Sequence, residues 1–182
     1  MTAHNGYKIG DYWTNIPGFE QRANCMHCGA TESMEHVLAE CEASGQRLES
    51  KKSNWIEVSF GVILGCGLIK IQDQEGKHLT GDSRLLRILV SESAHLIWKL
   101  RCERVIQGRE ITESEIKQRW KATIESRLEL DCLLMKGKYT KGRLDKKLVE
   151  RTWHDILKEQ DNLPEDWMGE AGVLVGIRSG MG

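Results

Sequence analysis

The 182-residue sequence has little excess charge, no long hydrophobic run and no signal-like start. Its longest apolar run, FGVILGCGLI at residues 60–69, is about half of the roughly 20 residues that a membrane-spanning helix needs. The formal net charge of −1 gives the molecule no global attraction for nucleic acid or for an anionic membrane. We therefore expect no membrane partner, and any polyanion must be bound by a local patch.

The sequence also lacks the common catalytic layouts. It has no glycine-rich phosphate loop with its lysine, no nucleophile elbow and no spaced acidic set in strand-like surroundings for two Mg²⁺ ions. Glu92 and His95 have the spacing of an acid and base pair, but His95 lies in a strongly apolar pattern that is typical of a core histidine. His154 beside Asp155 is interpreted in the same way. We expect a non-catalytic protein.

Six cysteines are present. Three disulfides would suit a short secreted scaffold, but this chain is longer than such scaffolds, and three of its cysteines cluster with a histidine. Both features favour metal ligation in a reducing compartment, so we expect an intracellular protein of the nucleus or cytoplasm. Cys66, Cys102 and Cys132 are predicted to be small buried residues, because the sequence shows no base paired with any of them.

The segment CMHCGATESMEHVLAEC, residues 25–41, is typical of a zinc site. Its ligand pattern is Cys25-x2-Cys28-x7-His36-x4-Cys41. Two thiolates two residues apart can face one ion, and a later histidine and cysteine complete a tetrahedron of S₃N type. Four protein ligands leave no open position for water, which favours a structural Zn²⁺ over a catalytic one. His27 is a competing ligand, but inside the turn it is expected to point away from the ion.

The spacing of His36 and Cys41 constrains the local helix. On a continuous α-helix five residues turn through roughly 500°, which leaves the two side chains about 140° apart. Such a pair does not share a face. We therefore predict that the helix suggested by residues 32–39 ends or tightens before Cys41.

The zinc-binding segment is a poor match for a phosphate backbone. It contains no Lys or Arg, and three thiolates on Zn²⁺ leave one negative charge. Three carboxylates add to that charge: Glu32, Glu35 and Glu40. We interpret the segment as a folding device whose surface repels phosphates.

Cations are concentrated in residues 136–151, which carry seven of them against Asp145 and Glu150. With aromatic rings inside and just beyond it, this composition suits phosphate contacts and base stacking. The candidate nucleic-acid-binding residues are Lys136, Lys138, Tyr139, Lys141, Arg143, Lys146, Lys147 and Arg151. Arg101, Arg104 and Arg109 would extend this patch if their helix end lay nearby. The alternative is a solvated loop and the exposed face of a helix.

Three helical patterns follow the zinc-binding segment. Residues 85–106 are apolar over so much of a helical circumference that they belong in the centre of a core. Thr112 and Glu115 have capping-box spacing, which starts a second helix with an apolar residue at every fourth position. The third pattern places five apolar residues on one side: Leu148, Val149, Trp153, Ile156 and Leu157.

We therefore expect a mainly α protein, with a small zinc-binding clip followed by a helical bundle of about three long helices. The predicted parts are an aromatic and turn-rich lead-in at 1–24, a zinc-binding segment at 25–58, a glycine-rich connection at 59–82, the helical bundle at 83–160 and an acidic, then glycine-rich tail at 161–182. The connection holds five glycines and is predicted to be poor in helix. The tail after Trp167 is expected to be mobile.

Residues 25–41 resemble the zinc-binding segment at the end of reverse transcriptases of non-LTR retroelements, where a Cys-x2-Cys pair precedes a Glu-Thr/Ser, His and Cys half. HNGYKIGDYWTNIPGFEQRANC and SRLLRILVSESAHLIWKLRCERVI are similar to text that follows the ribonuclease H type-1 domain in fungal proteins of retroelement origin. The resemblance implies the C-terminal region of such a polyprotein. It carries metal ligation over to Cys25, Cys28, His36 and Cys41 alone, and the carboxylates of the nuclease have no counterpart here.

Three functions are predicted. The first is a non-catalytic zinc-binding module that binds RNA or DNA with low sequence preference through the basic residues of 136–151, in a salt-sensitive manner. The second is a helical docking or dimerisation domain, whose helices bearing Trp98, Trp120 and Trp153 pack with a partner or a second copy. The third is a residual nuclease of the ribonuclease H type, which would cleave RNA–DNA hybrids.

Overall fold

The computed structural model describes residues 7–41, 58–136, 144–154, 156–157, 163–164 and 167–168. These residues are mainly helical, and they include two isolated β-bridges, between Asn24 and Thr31 and between Gln72 and His78. The α-helices are α1 (Asp11–Thr14), α2 (Phe60–Gly65), α3 (Thr80–Gln107), α4 (Glu113–Lys136) and α5 (Lys146–Trp153). A 3₁₀-helix at Glu20–Ala23 and a π-helix at His36–Glu40 lie before α2. The predicted fold class, a mainly α protein with a Cys/His cluster ahead of three principal helices, is confirmed.

The described residues form two compact units. The first unit contains residues 7–41, 58–65 and 93–111, and the second contains residues 66–92 together with those from 112 onward. Helix α3 therefore contributes its first part to the second unit and its remainder to the first. The domain boundaries expected from composition stay a prediction.

The first part of α3 is buried around most of its circumference, as its pattern predicts. Only Arg87 is exposed between residues 85 and 90, and the other five side chains are at most 4 % exposed: Leu85, Leu86, Ile88, Leu89 and Val90. The later part buries a narrower stripe, with Leu96 and Leu100 as its apolar members. His95 falls outside that stripe and is exposed, so the prediction of a core histidine there is wrong.

The glycine-rich connection contains more helix than expected. Helix α2 lies inside it, started by the Ser59 hydroxyl, which accepts a hydrogen bond from the Val62 backbone N–H at 3.3 Å. Helix α3 begins at Thr80, ahead of the predicted apolar pattern. Gly81 lies directly against the backbone of Arg151 in α5, where no Cβ would fit. Close packing of the two helices therefore offsets the low helix propensity of this glycine.

Helices α4 and α5 start at side-chain caps. The Thr112 hydroxyl accepts from the Glu115 backbone N–H at 3.2 Å, which is one half of the predicted capping box. In α5 the carboxylate of Asp145 accepts from the Leu148 backbone N–H at 3.1 Å. The predicted apolar side of α5 is buried, with Val149 and Trp153 at 0 % exposure.

A buried carboxylate, Asp131 of α4, organises the second unit. It accepts hydrogen bonds from both terminal nitrogens of Arg84 in α3, at 2.6 and 2.7 Å. It also accepts one from the indole N–H of Trp153 in α5, at 2.8 Å. Asp131 is 1 % exposed, so its charge depends on these partners. Three helices are thus joined at one polar point within an apolar core.

Three further expectations concern the remaining cysteines, membrane-spanning helices and the C-terminal tail. Cys66, Cys102 and Cys132 are only partly buried, so the expectation of full burial is wrong. Within the part of the chain that the structure describes, no helix is both long and apolar enough to cross a bilayer. The expected mobile tail after Trp167 lies almost wholly outside the described residues.

Candidate metal centre

The first half of the centre is a tight backbone turn around Cys25 and Cys28. The Cys25 N–H donates to the Ala30 carbonyl, and the Cys25 carbonyl accepts from the Gly29 N–H, both at 2.8 Å. Gly29 has φ +74, a left-handed conformation that glycine adopts without strain. These bonds fold the chain back on itself, so the thiols of Cys25 and Cys28 lie on the same side.

The second half is a single π-helical turn. The Ser33 hydroxyl starts it by accepting from the His36 N–H at 2.9 Å. The Cys41 N–H then donates to the His36 carbonyl at 2.9 Å, an i→i+5 bond that stacks these two residues one turn apart. The helix ends before Cys41, which is one of the two predicted outcomes. It does not tighten, which was the other, and instead its last turn is widened to a π-helix. Widening brings a five-residue spacing onto one face.

The four predicted ligand residues come together in space. Their ligand atoms, from Cys25, Cys28, His36 and Cys41, all lie within 4.8 Å of one another. Cys25 Sγ is 3.6 Å from Cys41 Sγ, and Cys28 Sγ is 3.4 Å from His36 Nε2. Tetrahedral zinc with ordinary Zn–S and Zn–N bonds requires edges of about 3.8 and about 3.6 Å for these pairs. These two edges therefore fit a metal ion of this size, and all four residues are close enough together to hold one.

Burial and protonation also suit metal binding. Cys25, Cys41 and His36 are at most 8 % exposed, whereas Cys28 faces solvent. Burial alone would raise the pKa of Cys25, but hydrogen bonds from His36, from the backbone of Cys28 and His27, and from Cys41 lower it to about 6. The thiolate, which is the ligating form, is thus favoured at neutral pH even before an ion arrives.

His27 lies outside the cluster and has another partner. Its Nε2 is 2.8 Å from Nη1 of Arg104 in α3. Partial burial and, after it, the neighbouring Arg104 charge lower the pKa of His27, which favours a neutral ring that accepts from the guanidinium. The turn that contains His27 is therefore held to α3, and the four-ligand set does not need it.

A buried ion pair fixes the segment that carries the Cys/His cluster to α3. Arg101 Nε donates to Glu32 Oε2 at 2.8 Å, and Nη2 of the same guanidinium contacts the same oxygen. Glu32 lies between the two halves of the centre, so its attachment positions both. The expectation that Glu32 adds surface charge against phosphates is wrong, because the carboxylate is buried and neutralised.

The same contacts correct the expected extension of the basic patch. Arg101 is 2 % exposed and fully engaged with Glu32. Arg104 contacts His27, and Arg109 forms an ion pair with Glu103 at 3.2 Å. Extension of the basic patch requires exposed arginines without a protein partner, and each of these three has one.

The predicted nucleic-acid-binding residues are only partly within the described chain. Lys136, Lys146, Lys147 and Arg151 are exposed. Lys138, Tyr139, Lys141 and Arg143 lie outside the described residues. Trp153, the ring just beyond this segment, is buried against Asp131 and is not available for stacking on a base. The role of these cations stays a prediction.

Comparison of the chain with protein-family models, curated proteins and solved structures gives no match in any of the three. Function is therefore argued from the metal centre, from the charged surface and from the sequence resemblance at residues 25–41. The alternative of a residual ribonuclease H-type nuclease stays a prediction.

Proposed function

We propose that this chain is a non-catalytic zinc-binding module that associates with nucleic acid and belongs to a retroelement-derived protein. The observation that carries the proposal is the convergence of three thiols and one imidazole within 4.8 Å of one another. The assignment to a retroelement-derived protein rests on the resemblance of residues 25–41. The zinc ion is assigned a structural role, because four protein ligands complete its coordination.

The ligand chemistry favours zinc. Thiolates and imidazole together select zinc over hard cations, which prefer oxygen ligands. Bound zinc would connect the turn at Cys25 to the π-helical turn at His36. Since Glu32 ties the same segment to Arg101, zinc binding is expected to be coupled to folding of the first unit.

The nucleic-acid part of the proposal is supported by the two-sided character of α5. Val149 and Trp153 bury one side completely, whereas Lys147 and Arg151 face solvent on the other. Exposed cations on a fixed helix contact phosphates without reading sequence. Binding to RNA or DNA would therefore be of low sequence preference and would weaken with salt.

The test uses the zinc-loaded full chain and a fluorescently labelled oligonucleotide, with anisotropy measured over a salt series. Binding is expected at low salt, with the logarithm of the association constant falling linearly with the logarithm of salt concentration. The Lys146→Ala/Lys147→Ala variant is expected to bind more weakly than the Lys117→Ala/Lys121→Ala variant, which removes the same charge from α4. Absence of binding by the unmodified chain at low salt would contradict the nucleic-acid part.

A docking or dimerisation domain is a second candidate, favoured by an exposed apolar face on α4. Leu130, Leu133 and Leu134 are 39 %, 65 % and 41 % exposed. Trp153 of α5 does not contribute to such a surface, because it is buried. Sedimentation of the unmodified chain, of Leu133→Gln and of Leu64→Gln as a control tests this candidate. A dimer that dissociates only in Leu133→Gln supports it. An unmodified chain that is monomeric at all concentrations contradicts it.

A further inference from the structure

The second unit contains a cleft with an unusual charge distribution. Its volume is about 570 Å³, within the range of sites that hold small molecules or parts of larger ones. Residues 67–70, the start of α3 and the exposed side of α5 form its walls. Four cations line it, Lys70, Arg84, Arg87 and Arg151, against one carboxylate, Asp145.

Three of these cations are available to an anion. Arg84 is not, since both of its terminal nitrogens are held by Asp131. Within the described residues, Lys70 and Arg151 have no acidic partner, and Arg87 makes one hydrogen bond, from Nη2 to the Gly67 carbonyl at 3.1 Å. Like charges that converge on an open cleft repel one another, so an anionic ligand would relieve that repulsion.

The positions of the cations are set by packing behind them. Gly81 at the start of α3 contacts the backbone of Arg151 directly. Arg84, one turn further along α3, is locked by Asp131. Arg87 follows on the same helix. The two available arginines, Arg87 and Arg151, therefore project from helices whose backbones are already ordered. A ligand would pay little to organise them, which favours binding.

The shape and the apolar part of the cleft narrow the class of ligand. A single phosphate would fill only a fraction of its volume. Leu68, Ile69 and Leu148 stand beside the cations, and Leu68 is 86 % exposed. A phosphate with a flat, partly apolar group attached matches this combination, which is the chemistry of a nucleotide. A duplex holds its phosphates on a broad convex surface that the cleft would not admit.

We infer that the cleft binds a single nucleic-acid strand, with Lys70, Arg87 and Arg151 on successive phosphates and a base against Leu68. This inference rests on the proposed association with nucleic acid and says where the strand is held. It assigns the principal contact to the cleft of the second unit, whereas the exposed Lys136, Lys146 and Lys147 add positive charge to the same unit.

Anisotropy titrations of the full chain with a labelled single strand test the inference, with Arg87→Gln and Arg151→Gln beside Lys77→Gln. Lys77 is an exposed cation of the same unit that does not line the cleft. Each cleft variant is expected to lose about tenfold or more in affinity at low salt, as for a lost hydrogen bond between charged groups. The salt slope should fall by about 0.7 per contact removed. Lys77→Gln should change neither quantity appreciably, and circular dichroism should show equal helix content in all variants.

The outcomes separate this inference from the proposed function. If the unmodified chain binds the strand and both cleft variants match Lys77→Gln, the cleft is overturned and the nucleic-acid association stands. If the unmodified chain binds neither the single strand nor the duplex, both the cleft assignment and the nucleic-acid association fall. If the duplex binds as tightly as the single strand with the same dependence on Arg87 and Arg151, or if inorganic phosphate competes as well as the oligonucleotide, the single-strand assignment is overturned.

Discussion

Glu32 and Arg101 form an ion pair from which solvent is almost wholly excluded, with side chains 1 % and 2 % exposed. Glu32 lies between Cys28 and His36 in the sequence, and Arg101 lies on α3. The pair therefore attaches the segment that carries the Cys/His cluster to α3. The proposed zinc ion and this ion pair would act on the same short segment, so loss of either should weaken the other.

Replacement of Arg101 by methionine should lower the free energy of unfolding by about 3–5 kcal/mol, because Glu32 would remain buried without its partner. Urea denaturation of the zinc-loaded chain measures this change. Lys117→Met is the matched control: Lys117 pairs with Glu113 on the surface of α4, and such pairs are worth about 1 kcal/mol or less. Equal losses in the two variants would contradict the assigned role of Arg101.

Asp131→Ala should have an effect of similar size in the second unit. It would leave the Arg84 guanidinium without its carboxylate and the Trp153 indole N–H without an acceptor, at a cost of about 3–5 kcal/mol. Denaturation monitored by tryptophan fluorescence measures it, with Glu129→Ala as an exposed control on the same helix. A variant as stable as Glu129→Ala would show that the buried network is not needed.

Gly81→Ala should destabilise the packing of α3 on α5, since the new Cβ would meet the Arg151 backbone. Elsewhere in a helix this substitution is favourable by about 1 kcal/mol, so a loss of stability is specific evidence for the close approach. Gly67→Ala is the control, because open space surrounds that position. Thermal unfolding of the two variants gives the comparison, and a Gly81→Ala protein that melts at a higher temperature would rule out the contact.

The parts of this structure that depend on local spacing could be predicted from sequence. The convergence of Cys25, Cys28, His36 and Cys41 is one of them, because four donor residues within 17 positions leave few alternatives. The buried stripes of α3 and α5 were another, since helical periodicity reports them directly. The sequence also predicts that a regular α-helix cannot continue to Cys41, since it would not turn His36 and Cys41 toward one ion. The π-helical turn is not predictable, because it depends on the hydrogen bond from the Cys41 N–H to the His36 carbonyl, which has no sequence pattern.

The parts that depend on distant partners were not predictable. Glu32 and Arg101 are 69 positions apart, and Asp131 joins residues 47 and 22 positions away. In the sequence Glu32, Arg101 and Asp131 are ordinary charged residues. Their side chains can be buried because the fold pairs each with an opposite charge. His95 shows the converse, since its apolar neighbours suggest a core position although its own side of α3 faces solvent.

Thiol alkylation should distinguish the two groups of cysteines. With zinc bound, only Cys66 and Cys102 should react readily. Cys132 should react slowly, because burial raises its pKa. After chelation, the exposed Cys28 should react quickly, and mass spectrometry of digested protein locates each adduct. Equal modification of Cys28 with and without zinc would contradict ligation.

Acidification should release the metal over a defined range. The pKa of Cys25 is lowered from 9.0 to about 6, so its thiolate favours the folded state at high pH, and this contribution is lost as the pH falls through about 6. Zinc affinity should decline over the same range, because protons compete for the ligand. A zinc-binding dye reports the release. An affinity for zinc that does not fall as the pH is lowered below about 6 would argue against thiolate ligands.

Metal analysis of the purified, folded chain beside Cys28→Ser and Cys132→Ser tests the central claim most directly. The unmodified chain and Cys132→Ser are predicted to carry one zinc ion per molecule, whereas Cys28→Ser should carry almost none and should lose helix content in the first unit. A Cys28→Ser protein with a full complement of zinc, or an unmodified chain that folds fully in the presence of a strong chelator, would contradict a structural zinc centre.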